Sequence, residues 1–340
     1  MAYRRLCADG GEGLFGDGTV RGDGEGGHPG NAELAFDALL SCAVGDVMPI
    51  LYFEVPLLGK PRFDLQVCID RASLPEGARL PEGAPPGLQG AVDWLLRDGN
   101  GCTGVDFAFD VSTGDIRSPQ VIAFTNGCET CDLESFFACV GDADAVNRYN
   151  AAQLRVPQGW GPWYTGLIPQ RQGRPVRLDY FVGGGKTAQY SQDIGLLAAD
   201  LQQMGYRASD FELARCADLL AHPFRLNIQL DVLEDGSMGP VLGYNASFRV
   251  PSPTAMRASA SDGAISRIMQ LVEEWGLADE RWRLLAGRCI GFKSVLPDDR
   301  TLMMYSVPTF LKVRMTPEEL VDAKVYIICT ACIHEPSPVP

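Results

Sequence analysis

The chain has 340 residues, 46% of them hydrophobic, enough to bury the core of one large domain or two ordinary ones. Its 43 acidic residues against 29 basic ones give a net charge of −14, a field that repels nucleic acid and anionic membrane, so any anion site must be local. Met1 to Gly10 carry Arg4 and Arg5 with no apolar h-region after them, and no apolar run is long enough to span a bilayer. The expectation is a cytoplasmic monomer.

The first 31 residues read as a glycine-rich flexible arm, because a run such as Gly22, Gly24, Gly26, Gly27 costs too much backbone entropy to order. Residues 32–334 read as a single domain and 335–340 as a tail. Asn31 caps an expected helix to Ala43, followed by strands at 47–55 and 61–69 joined through Gly59-Lys60-Pro61. A Pro/Gly-rich connector leads to a helix at 87–97. Strands at 104–111 and 117–125 turn at Ser112-Thr113-Gly114-Asp115. Helices at 132–140 and 143–153 precede strands at 162–168 and 175–182; helices at 190–204 and 208–220 precede strands at 224–233 and 239–250. Helices at 261–275 and 279–286 lead to the last strands, 289–297, 301–315 and 324–332.

Hairpin then helix or helix pair recurs at a spacing of roughly fifty to sixty residues. Within the strands a short pattern returns: Arg62-Phe63-Asp64, Arg177-Leu178-Asp179 and Arg225-Leu226-Asn227. Alternation puts Phe63, Leu65, Val67 and Ile69 opposite Arg62, Asp64 and Gln66, and Leu226, Ile228 and Leu230 opposite Arg225, Asn227, Gln229 and Asp231. Helices between hairpins need an apolar surface, which leaves the polar faces to line a closed lumen. The expected fold is α+β: an antiparallel ten-stranded β-barrel with a polar lumen, ringed by helices in repeated αββα units. An open sheet with its Arg/Asp face in water is the alternative.

Basic side chains converging in a low-dielectric lumen suit a compact, multiply charged anion, above all a diphosphate. Face parity places Arg62, Arg177, Arg225, Lys293 and Lys312 there. The alternative for each arginine is a pair with the aspartate two residues along its own strand.

The 11 cysteines are odd in number and many sit in apolar runs, as in a reducing compartment. Cys128 with Cys131 and Cys329 with Cys332 have the residue types of a zinc site, but the second pair ends a strand and points to opposite faces. Val182-Gly183-Gly184-Gly185-Lys186-Thr187 resembles a P-loop except that Tyr180 stands where the pattern needs glycine.

Ile50-Leu51-Tyr52-Phe53-Glu54 with Arg62-Phe63-Asp64-Leu65, Tyr164-Thr165-Gly166-Leu167 to Arg171 with Val176-Arg177-Leu178, and Val313-Arg314-Met315-Thr316-Pro317-Glu318-Glu319 to Lys324-Val325-Tyr326-Ile327 resemble the ABBA-fold prenyltransferases, weakly over nearly the whole chain. The resemblance implies transfer of an isoprenyl group, dimethylallyl or geranyl, from its diphosphate to an electron-rich acceptor. That acceptor is a side chain of a ribosomally made peptide or a small aromatic natural product. It makes Glu54 the general base, adds Arg171 to Arg62 and Arg177 as diphosphate ligands, and makes Asp64 a contact for Mg2+ held with the diphosphate, with no organic cofactor. Tyr244 and Tyr326 are candidates for shielding an allylic cation. Glu54 is equally open to reading as a strand carboxylate paired with Lys60 or a helix end. Where the aromatic branch carries lysines on its second hairpin, this chain has Ser118, Pro119 and Gln120. The rival class is a non-catalytic barrel that binds an anionic or aromatic ligand and needs no Glu54.

Overall fold

A computed structural model describes residues 50–334, apart from 61, 83, 85–86, 98–100, 112–114, 126–130, 169–172, 249–252 and 296–300. The arm, the helix expected at 31–43 and the tail lie outside the described residues.

Period-2 alternation builds the wall. The strands are β1 (Ile50–Pro56), β2 (Asp64–Asp70), β3 (Gly104–Asp110), β4 (Asp115–Phe124), β5 (Trp160–Leu167), β6 (Val176–Val182), β7 (Arg225–Val232), β8 (Leu242–Ser247), β9 (Ile290–Val295), β10 (Thr301–Met315) and β11 (Leu320–His334). Every pairing is antiparallel, and the order β1-β2-β3-β4-β5-β6-β7-β8-β10-β11 returns to β1, closing a ten-stranded barrel. Closure removes the unpaired edges that an open sheet would leave. The long β10 pairs with β8 through Phe310–Met315 and with β9 through Thr301–Ser306, so β9 extends the wall rather than closing it.

The outward face is apolar. Leu65, Val67 and Ile69 of β2, Val105 and Phe107 of β3, Leu226, Ile228 and Leu230 of β7, and Leu311 and Val313 of β10 are buried. Helices cover it: α1 (Leu88–Leu95), α2 (Leu133–Cys139), α3 (Ala145–Gln153), α4 (Gly184–Gln192), α5 (Ile194–Met204), α6 (Asp210–Leu220), α7 (Pro253–Asp262) and α8 (Ala264–Glu274). Each side chain of this kind, fully buried, contributes roughly 1.5–3 kcal/mol. One hydrophobic core therefore forms a shell between sheet and helices, and the lumen inside is a separate, polar compartment.

Local chemistry sets the helix ends. The expected helix at 190–204 is two, because the Asp193 side chain accepts from Gly195 N–H at 2.9 Å and starts α5 afresh. α7, which the sequence reading did not anticipate, opens on Pro253, suited to a first helical turn. The segment expected as a helix at 279–286 is a 3-10 helix, Glu280–Arg288. α6 begins with a capping box of Ser209 and Glu212, and Ser209 Oγ–H also donates to Pro317 O at 2.8 Å. That bond ties a ring helix to the β10–β11 turn, beside the charged end of the lumen. No helix among the described residues is long and apolar enough to cross a membrane.

Candidate functional site in the barrel lumen

The residues alternating with the apolar shell face inward. They bring Glu54 (β1), Asp64 (β2), Asp106 (β3), Asp179 (β6), Asp231 (β7) and Asp322 (β11) into one lumen with Arg177 (β6), Lys312 and Arg314 (β10) and Lys324 (β11). The carboxylates outnumber the cations, and cross-strand register decides who pairs with whom.

Arg177 sits opposite Asp231 and grips it with two bonds, Nε at 2.9 Å and Nη2 at 3.1 Å, while Nη1 donates to Gln120 Oε1 at 3.2 Å. Burial works against the guanidinium charge, but Asp231 outweighs it and holds the Arg177 pKa above the ordinary range. Arg314 sits opposite Asp322 and makes the same two-pronged contact, with Nε 2.7 Å from Oδ1. Lys324 lies between two carboxylates, with Nζ 3.3 Å from Glu54 and 3.2 Å from Asp64. Burial alone would raise the Glu54 carboxyl; the charges of Lys324 and Lys312 and hydrogen bonds from Tyr326 and Lys324 hold it below the carboxylate range instead. Glu54 is thus ionised at neutral pH, with its oxygens engaged.

Lys312 differs. The residue is 6% exposed, and among the described residues it makes no ion pair; Nζ stands 6.0 Å from the centre of the Tyr326 ring. Burial, with Arg177, Arg314 and Lys324 nearby, pushes its pKa down to about 7 against the pull of Glu54. The adjacent Asp179 accepts from Asn227 Nδ2 at 2.8 Å and Asn245 Nδ2 at 2.7 Å, yet burial still raises it to about 6. Tyr164, whose hydroxyl takes a hydrogen from Gln229 Nε2, and Tyr326 are half-buried phenols whose pKa desolvation raises, Tyr326 also because it faces Glu54.

Of the residues expected here, Glu54, Asp64, Arg177, Lys312 and Tyr326 do converge. Arg62 is exposed and precedes β2, which starts at Asp64. Arg225 stands on the inward parity, but its guanidinium stacks on Phe181, 3.3 Å from the ring centre, where β7 begins and away from Asp231. Tyr244 alternates with Asn245 and packs in the outer shell beside Leu242 and Ala246. Lys293 lies on β9 opposite Met303, and nothing of its side chain is described. Arg171 lies outside the described residues. The own-strand pairing of Arg177 with Asp179 is replaced by cross-strand pairing with Asp231.

The sequence reading did not single out Arg314, Lys324, Asp322 and Tyr164 as lumen ligands, and Asp231 entered it only as a member of the polar face of β7. Their signal was present: each alternates with shell residues such as Val313 and Val325. Two discarded motifs resolve differently. Lys186 pairs with Asp200 at 2.8 Å, so the P-loop-like segment keeps its lysine occupied. Cys128 lies outside the described residues, and Cys131 Sγ sits 2.9 Å from Cys102 Sγ. Among the described residues no three His, Cys, Asp or Glu converge as a metal set.

The donor set does not fit magnesium held by Asp64. Its Oδ2 already faces the Lys324 ammonium that it shares with Glu54, so a metal there would have to displace that cation. No protein-family model matches the chain, and no curated protein matches its sequence.

Proposed function

We propose that the lumen is the site of a prenyltransferase, in which an isoprenyl diphosphate ionises and the allylic carbon is captured by an electron-rich acceptor. The observation that carries this reading is Lys312: a buried basic side chain, without an ion pair among the described residues, set beside Arg177, Arg314 and Lys324 and against the ring of Tyr326. A diphosphate arriving there meets a group that can become an ammonium and two guanidiniums, each of which already donates to a carboxylate. Those cations stabilise the leaving group as the carbon–oxygen bond breaks. The rings of Tyr326 and Tyr164 give the allylic cation aromatic surface, worth about 1–2 kcal/mol per ring when desolvated. The acceptor forms the new bond to carbon and surrenders a proton, which the ionised Glu54 can take. The succession of antiparallel hairpins separated by ring helices is in keeping with the αββα repeat of the ABBA barrel.

The second reading is a barrel that binds an anion without turning it over. It draws on the pairing of Arg177 with Asp231 and Arg314 with Asp322, which leaves Lys312 as the main free site for an anion. Calorimetric titration with dimethylallyl, geranyl and farnesyl thiolodiphosphates, with and without magnesium, tests both. The transferase reading expects saturable binding of one chain length, weakened at least tenfold by Lys312→Met, and Glu54→Gln that binds normally but turns over slowly. Binding of none of the three analogues would refute it. Binding of a plain diphosphate as tight as any prenylated one would favour the second reading.

A further inference from the structure

At the far end of β6 and β7 from the Arg177–Asp231 pair lies a cavity of about 480 Å3. It forms where α4 follows β6 and the end of α6 turns into β7, between Phe181 and Ala188 on one side and Leu220, His222 and Phe224 on the other, with Arg225 in its wall. Cavities of about 300–1,000 Å3 are the size that holds small molecules. Arg225 opens β7 and Asp231 lies near its other end, roughly 20 Å along the strand at about 3.3 Å per residue, so this is not the charged end of the lumen.

Arg225 sets the sign of the charge that fits. Its guanidinium lies over the Phe181 ring, 3.3 Å from the centre, and among the described residues it makes no ion pair and no hydrogen bond. The five N–H groups of a guanidinium lie in its plane, so stacking on a ring leaves them able to donate. Arg225 is partly exposed, which lets a solute reach it. Lys186, the only basic residue of α4, is already paired with Asp200 at 2.8 Å. None of the described lining residues is acidic, although acidic residues outnumber basic ones 43 to 29 in the chain. One unopposed guanidinium calls for one negative charge, and its planar fork matches a carboxylate, which accepts two parallel N–H bonds. A phosphate dianion would keep a charge uncompensated there. Burial, and after it the Arg267 charge, lowers the His222 pKa, so at pH 7 that imidazole is neutral and offers one N–H. The remaining wall is apolar and held in place: Leu220 is buried, and Phe224 stands edge-on to Phe248 with ring centres 5.0 Å apart.

We propose that this cavity is a second binding site, independent of what the lumen does, and that it takes a monocarboxylate with a flat apolar body. The carboxylate pairs with Arg225, and the body lies against Phe224 and Leu220. Because the walls come from α4, α6 and β7, an occupant bridges two ring helices to the barrel and stabilises the folded chain by mass action.

Two probes of nearly the same shape, 2-naphthoate and 2-naphthamide, differ in the charge at issue. Calorimetric or fluorescence titration of the full chain should show the acid binding at least about tenfold more tightly than the amide, as expected when a charge-assisted two-pronged contact replaces a neutral one. Arg225→Met should bring that ratio to near one. Ala188→Trp puts bulk into the cavity from an exposed position of α4 and should weaken the acid at least tenfold with Arg225 in place. Lys312→Met, a change in the lumen, should alter the binding of neither probe. Equal affinity for the two probes, no binding of the acid at millimolar concentration, an unchanged ratio in Arg225→Met, loss of the acid in Lys312→Met, or inorganic phosphate binding more tightly than the acid overturns the proposal. If Arg225→Met does not fold, the wild-type ratio and Ala188→Trp decide.

Discussion

Replacing Lys324 with methionine removes one charge from between two carboxylates while keeping most of the side-chain volume. The Lys324 side chain is 19% exposed and those of Glu54 and Asp64 are 16% and 14%, so water can screen little of what is lost. Breaking a buried pair by removing one partner typically costs about 3–5 kcal/mol, because the other charge is left uncompensated. The cost should depend on pH, and its sign follows from Glu54. In the native protein its pKa is below the unfolded value, so it contributes stability that is present above about pH 4.5 and lost as pH falls through the folded pKa. Without Lys324 the burial effect dominates, the folded pKa moves above the unfolded one, and the same carboxyl destabilises as pH rises. Urea unfolding at pH 5 and pH 7.5 should therefore show the variant losing several kcal/mol at the higher pH and clearly less at the lower. A loss that is equal at both pH values, or below about 1 kcal/mol at pH 7.5, would refute the charge assignment.

Arg177→Met should cost about 3–5 kcal/mol by stranding Asp231, whereas Arg177→Met with Asp231→Leu should recover most of it; urea midpoints for the two singles and the double give the coupling. Gly166→Ala places a Cβ 2.7 Å from the Val121 carbonyl oxygen, so β4 and β5 must separate locally; a loss of about 1–3 kcal/mol in the same assay is expected. Asp106 raised to about 7 destabilises the fold progressively as pH rises from about 4 to 7, and Lys312 lowered to about 7 destabilises it as pH falls from about 10.5 to 7. Asp106→Asn should thus gain most over wild type at pH 7 and little at pH 4, and Lys312→Met should gain most at pH 7 and little at pH 10.5, both read from thermal or urea unfolding across pH.

The barrel was legible because alternation is a strong local signal. Leu65, Val67 and Ile69 against Asp64, Gln66 and Cys68 define two faces whatever the neighbouring strands are, and hairpins with helices between them leave few closed arrangements. The same rule, applied more strictly, reassigns Tyr244: in Leu242-Gly243-Tyr244-Asn245-Ala246 it belongs with the apolar set. Pairing was not legible, because it depends on register between strands far apart in the chain. Arg177 meets Asp231, 54 positions away, and Lys324 meets Glu54, 270 positions away. Arg225 shows the same limit: its parity was right, but only the neighbouring strand reveals Phe181 beneath the guanidinium. Arg62 fails for a simpler reason, since the strand starts two residues later than the alternation suggests.

A polar lumen needs a reason, since an apolar filling would be easier to stabilise. Replacing buried ion pairs with well-packed hydrophobic residues is often neutral or stabilising, so Arg177–Asp231 and Arg314–Asp322 are weak grounds for stability alone. The buried polar groups left unmatched are more telling, because each costs the folded state something that is not repaid within the described residues. Lys312 stands beside further cations with no ion pair among the described residues, and Asp106 Oδ1 and Gln120 Nε2 meet no hydrogen-bonding partner. An anion satisfies Lys312 in a transferase and in an anion-binding barrel alike, so binding alone does not separate the two readings; turnover, and its loss in Glu54→Gln, does.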